Sequence, residues 1–202
     1  MARALRPALV PLASQRPRLW RDVARFLRRK PADPPTRRPR PSFEHEVAED
    51  EFIGWVPTPI RVVRRMLELA DIQPGETVYD LGCGDGRILI AAALMYNARC
   101  VGIDIDWNRI DDARRRAALL LDRITFQRKN VLKTNLRRAD VIIIYLLPSI
   151  VAKLMPTLRR LKPGVRIVTH DFALPAVTPR KTVRMKGIDR LHHLFAYRTP
   201  LE

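Results

Sequence analysis

The run Asp80-Leu81-Gly82-Cys83-Gly84-Asp85-Gly86 restricts this chain more than any other stretch. An apolar segment, 77–81, leads into it, and a second apolar segment, 87–96, follows without a break. Glycines at every second position let the backbone turn sharply and come close to a ligand without a Cβ in the way. The expected unit is therefore strand, tight turn, helix, with a ligand at the turn. A lone G-x-G-x-G also suits dinucleotides, so the neighbouring residues must decide the ligand.

Those neighbours are acids. Asp80 stands two residues before the first glycine and Asp85 lies inside the loop. Carboxylates there attract a cationic ligand and repel a pyrophosphate. S-adenosylmethionine (SAM) carries an ammonium and a sulfonium, which favours it over NAD or FAD. Asp104 ends the next apolar segment and suits the hydroxyls of a ribose, a role shared by both cofactor classes. Asn130 follows the third strand; it either bonds an adenine or serves turn geometry. Cys83 reads as a small loop filler, because no base for a nucleophile is identifiable.

The rest of the folded part alternates. Pro59 opens a helix in which Val62, Val63, Met66, Leu67 and Ala70 repeat at helical spacing. Strands are expected at 77–81, 100–105, 125–129, 141–146, 166–170, 182–186 and 193–198. Helices are expected at 87–96, 107–121 and 149–161. Such alternation predicts an α/β domain, a doubly wound, mostly parallel sheet with helices on both faces.

The first 42 residues differ. They hold twelve Lys/Arg and only Asp22 and Asp33 as acids, so most of the formal net charge of +17 resides there. Leu19, Trp20, Val23, Phe26 and Leu27 share one face of a short basic amphipathic helix, expected near 18–29, and five prolines follow in 30–41. Residues 1–42 are thus expected to be a tail, otherwise disordered, and residues 43–202 the domain. The tail reads as a solubilising segment, as a contact for an anionic membrane surface, ribosome or nucleic acid, or as an organelle presequence. No apolar run reaches the ~20 residues of a transmembrane helix. Two cysteines without a ligand spacing predict neither a structural zinc nor a disulfide framework, and favour a reducing compartment. Cytoplasm is the expected setting, with peripheral membrane contact as an option, or mitochondria in a eukaryotic source.

Several segments together resemble a known family. Val56-Pro57-Thr58-Pro59, 62–67, the glycine loop with Arg87-Ile88, and Val101-Gly102-Ile103-Asp104 are similar to the small broad-specificity protein lysine methyltransferases of archaea. That group is related to mitochondrial lysine methyltransferases acting on ATP synthase subunit c and on the adenine nucleotide translocase. Tyr145-Leu146-Leu147, 161–164 and Thr169-His170-Asp171-Phe172 continue the resemblance, which spans about residues 52–198. It implies a seven-stranded, Rossmann-like class I methyltransferase sheet with the last strand antiparallel. It also implies methyl transfer from SAM to lysine ε-amines of proteins, with Thr58, Asp80, Gly82, Gly84, Gly86, Asp104 and Asn130 lining the cofactor.

The chemistry asks for alignment of amine and methyl carbon, and for loss of a proton from the amine. Tyr145 ends the fourth strand, and His170 with Asp171 ends the fifth, both facing the crevice of such a sheet. Tyr145 is either part of a lysine channel or core filler. His170 and Asp171 either take a proton and orient the amine, or tie the loop. His192 and His193 read as ordinary strand residues. Nucleic-acid methylation is the alternative that the basic tail favours, yet Tyr145-Leu146-Leu147-Pro148 lacks the polar residue of base amino-methyltransferases. Small-molecule methylation and a non-catalytic SAM-binding module are further alternatives.

Overall fold

The computed structural model describes residues 16–28, 56–187 and 190–202. Of the segment read as a tail, only its helix is described; the expected domain start near Phe43 lies outside the described residues. The elements run α1 (Arg16–Arg28), α2 (Ile60–Ala70), β1 (Thr77–Leu81), α3 (Arg87–Tyr96), β2 (Arg99–Asp104), α4 (Trp107–Arg116), β3 (Ile124–Arg128), β4 (Val141–Ile144), α5 (Pro148–Arg159), β5 (Arg166–His170), β6 (Lys181–Lys186) and β7 (Leu191–Arg198). The seven strands form one sheet in the order β3-β2-β1-β4-β5-β7-β6.

Strands β1 to β5 pair in parallel, and β7 enters antiparallel between β5 and β6. The order reverses at β1, whose neighbours are β2 and β4, and this is where a crevice opens at the carboxyl ends of an α/β sheet. β4 is apolar throughout because both faces of the sheet are covered. Val78, Val141, Ile143 and Val168 face a core shared with α1, α2, α3 and α4. Tyr79, Leu81, Ile142, Ile144 and Ile167 face the opposite core, filled by α5 together with Leu136, Leu174 and Leu201.

Several elements depart from the sequence expectation: β4 stops at Ile144, so Tyr145 follows the strand rather than ending it, and α5 stops at Arg159. Helix α4 stops at Arg116, and residues 118–120 tighten into a 3-10 turn. Leu119 and Leu121, within the range expected for the helix, are exposed. Helix α1 keeps its apolar face for the protein itself: Trp20, Val23 and Leu27 are 5%, 2% and 5% exposed, within the same core as α2 and α3. Its last turn is held by Arg116, whose guanidinium donates to the Leu27 carbonyl at 3.1 Å.

Burying a Trp, a Val and a Leu side chain contributes on the order of 1.5–3 kcal/mol each. Trp20→Ala is accordingly expected to lower the unfolding free energy by about 3 kcal/mol, read from urea denaturation. An unchanged midpoint would show that α1 adds nothing to the folded unit.

Candidate active site

The glycine loop is pinned before any ligand arrives. The amides of Gly82 and Cys83 both donate to the Ile103 carbonyl, at 2.8 and 2.9 Å, and Gly86 donates to the Cys83 carbonyl at 2.9 Å. Gly82 has φ +84°, and a Cβ there would lie 2.7 Å from Leu146 Cδ2. Gly86 has φ +75°, and its Cβ would lie 2.8 Å from the Phe126 ring. Only glycine meets both demands at these turns.

Asp80 lies one residue before the end of β1, 2% exposed. Its Oδ2 is buried and has no hydrogen-bond partner. Desolvation, and then the negative charges of Asp104 and Asp85, push its pKa up to about 8. A buried carboxylate in this state lacks a counter-charge, and a cationic ligand would supply one. Asp104, also buried, accepts from the Gly84 amide through Oδ2 and from the Asp106 amide through Oδ1, both at 2.9 Å. Burial raises its pKa against those two bonds and Arg109. Each oxygen keeps a lone pair for a ribose hydroxyl.

Asp85 has a different place from the one its sequence position suggested. Arg87 grips it in a fork, Nε to Oδ1 at 2.8 Å and Nη2 to Oδ2 at 2.7 Å, and Arg116 approaches Oδ2 at 3.5 Å. Its carboxylate is paired within the protein, while its charge still raises the Asp80 pKa. The third guanidinium nitrogen of Arg87 donates to the Thr58 carbonyl at 3.0 Å. Thr58, buried, is thereby tied to the loop. Asn130 caps the 3-10 turn at 131–133 through Oδ1, which accepts from Leu132 at 2.9 Å, as the turn reading expects. The Cys83 thiol is pushed up by burial and by Asp80 and Asp104, which keeps it protonated and unreactive.

A second constellation stands at the ends of β4 and β5. Tyr145 follows β4, and its carbonyl oxygen lies 3.9 Å from where a Gly82 Cβ would be, so this group adjoins the glycine loop. Its ring packs on His170 with centroids 4.0 Å apart. His170 is 1% exposed, and its Nε2 lies 3.0 Å from His192 Nδ1, within hydrogen-bond distance. Burial lowers the His170 pKa to about 4, so the ring is neutral near pH 7. Asp171 adopts a left-handed backbone, φ +62°, and its Oδ1 accepts from the His193 amide at 3.2 Å.

Arg190, which the sequence did not single out, completes the group. Its Nη1 lies 2.7 Å from Asp171 Oδ2 and its Nη2 donates to the Tyr145 hydroxyl at 3.0 Å. Burial works to raise Asp171, but Arg190 and its other partners hold it below the usual carboxylate range. His192, read as an ordinary strand residue, is buried on the inward face of β7 beside Leu194. Its only signal in the sequence was that inward register. His170, Asp171 and His192 bring donor atoms within 4.8 Å of one another. Arg190 holds the carboxylate of that group.

Comparison with known proteins fits this site. The model of the ANTKMT methyltransferase domain matches residues 80–181. A protein-lysine N-methyltransferase of Saccharolobus islandicus is 36% identical over 149 residues, covering 72% of this chain and 92% of the relative. The chain belongs to the ANTKMT methyltransferase family. The crystal structure of an RNA methyltransferase from Salinibacter ruber, in complex with S-adenosyl-L-homocysteine, is 41% identical with a TM-score of 0.68. It covers 73% of this chain and 95% of that one. The ribosomal protein L11 methyltransferase of Geobacillus thermodenitrificans is 34% identical over half of this chain but only a third of its own length.

This family member is a SAM-dependent methyltransferase, and its residues fit the cofactor: an unpartnered buried carboxylate oxygen for positive charge, bare backbone at three glycines, and Asp104 for the ribose. When bound, SAM supplies a methyl group on a cationic sulfur. Asp80 would hold the positive charge, Gly82 to Gly86 would give close approach, and Asp104 would orient the sugar.

The sign of the Asp80 shift sets a pH dependence for the free methyltransferase. A carboxyl whose folded pKa is raised stabilises the fold while protonated, and the contribution is lost as pH rises from about 4 through about 8. In that window Asp80 contributes a loss of up to about 1.4 kcal/mol per pH unit. Asp80→Asn is expected to flatten this part of the stability profile and to weaken SAM binding, as urea melts at several pH values and calorimetry would read. A variant with an unchanged profile would contradict the shift.

Proposed function

We propose that this methyltransferase transfers methyl groups from SAM to lysine ε-amines of proteins. The observation that carries this reading is Asp171 beside the Tyr145 hydroxyl, next to the glycine loop, with a cationic side chain already seated on both. A lysine ammonium can take the place of the Arg190 guanidinium on the same two oxygens. Similarity over nearly the full length of a protein-lysine N-methyltransferase supports the same acceptor.

The residues divide the work. Asp171 and Tyr145 receive the ammonium and direct its nitrogen towards the loop. His170, neutral and held between Tyr145 and His192, fixes both; its depressed pKa makes it a poor proton acceptor at pH 7. The acceptor must lose a proton from a pKa of about 10.4, and a site shared with a cationic sulfur and shielded from water favours the neutral amine. Phe172, partly exposed next to Asp171, offers an apolar wall for the methylene stem.

Nucleic-acid methylation is the second reading, favoured by the likeness to the Salinibacter ruber enzyme. The end of β4 argues against it: Leu146-Leu147 places apolar side chains where a base amine would need polar partners. Tritiated methyl transfer into cell extract separates the two. Label that is released by protease, resists nuclease and yields methyl-lysine on hydrolysis supports the lysine reading; label released by nuclease alone overturns it. With a protein acceptor, Asp171→Asn should lower kcat/KM by about 10²-fold while SAM binding persists. A loss of SAM binding equal to the loss of turnover would place Asp171 in the cofactor site instead.

A further inference from the structure

Helices α1 and α2 bound an open cleft of about 480 Å³ whose walls carry Arg21, Arg25 and Arg28 from one side and Arg61 and Arg64 from the other. Trp20 lies at its base, with the Arg64 guanidinium 5.9 Å from the ring centre. Arg64 is paired with Glu68 at 2.8 Å. Arg21, Arg25, Arg28 and Arg61 make no ion pair or hydrogen bond among the described residues, and no acid lines the cleft. Arg21 and Arg25 stand one turn apart, a spacing at which like charges destabilise a helix. An anion with several charges would relieve that repulsion.

We propose that this cleft binds the sugar-phosphate backbone of single-stranded nucleic acid, without regard to sequence. Three observations favour that ligand. The arginines recur along α1 at one-turn intervals, about 6 Å for four residues. A phosphodiester strand carries a charge at every residue and so meets consecutive guanidiniums, whose planar fork matches phosphate. A peptide does so only where its sequence happens to be acidic. A membrane surface fits less well, because an interfacial helix must insert apolar side chains. Here Trp20, Val23 and Leu27 are committed to the core.

The cleft also lies near the cofactor end of the sheet. Helix α2 begins two residues after Thr58, which Arg87 ties to the glycine loop. A strand held there would bring nucleic acid, or a protein bound to it, beside the methyl donor. The proposal is independent of the acceptor, since binding is read without methyl transfer.

The test uses the full chain and a fluorescein-labelled single-stranded RNA of mixed sequence, followed by anisotropy at several salt concentrations. Two variants with equal loss of charge are compared: Arg21→Glu/Arg25→Glu/Arg61→Glu in the cleft, and Arg99→Glu/Arg137→Glu/Arg138→Glu on exposed surface elsewhere. The cleft variant is expected to bind about tenfold more weakly at 0.1 M salt, with a salt slope shallower by about 2, while the surface variant changes far less. An alanine version of the cleft variant, checked by its melting temperature, guards against loss of fold. Labelled single-stranded DNA of the same sequence shows whether the sugar is read. Equal weakening by both variants would reduce the effect to overall charge and overturn the proposal. So would unchanged binding in the cleft variant, tighter capture of poly-glutamate, or binding to anionic phospholipid vesicles in place of RNA.

Discussion

A carboxylate buried without a counter-charge at the end of the central strand is the constraint around which this molecule is arranged. Asp80 sits in β1, at the point where strand order reverses, and faces further negative charge from Asp104 and Asp85. Among the described residues its Oδ2 has no hydrogen-bond partner. The protein instead manages the other two acids. Asp104 is satisfied by two backbone amides, and Asp85 by a guanidinium fork. The positive charge that Asp80 lacks is left for the sulfonium nucleoside to bring.

The arginines around Asp85 spread this arrangement outward. Arg87 links the loop to Thr58, and Arg116 links it to the last turn of α1. A helix far away in sequence thus buttresses the cofactor loop. At the proposed acceptor side Asp171 and Tyr145 are paired with the Arg190 guanidinium, and His170, within hydrogen-bond distance of His192, packs on the Tyr145 ring. The two sides meet where Tyr145 adjoins Gly82.

Much of the fold was legible in the sequence. β1, α3 and β5 have the bounds expected for them, because each is an apolar run closed by glycine or a turn. α4 was read too long, since the chain after Arg116 tightens into a 3-10 turn at 118–120 and leaves Leu119 and Leu121 exposed. The glycine loop and its flanking acids were recognisable because their roles are set by backbone and position. The pairing of Asp85 with Arg87, two residues away, was not legible, because pairing depends on side-chain direction. The amphipathic face of α1 was plain from spacing, but its occupant was not, since a buried stripe does not name its partner. His192 reaches the site through pairing of β7 with β5, and Arg190 stands just before β7; both are distant in sequence from His170 and Asp171, and no local pattern marks them.

The most direct measurement is calorimetric titration of the full chain with SAM at pH 7, repeated in two buffers of different ionisation enthalpy. With Asp80 near pKa 8 in the free protein, cofactor uptake should expel most of one proton, and affinity should climb as pH approaches that value. Uptake of SAM with no proton exchanged, at an affinity indifferent to pH, would mean that the buried carboxylate and the cationic cofactor do not meet.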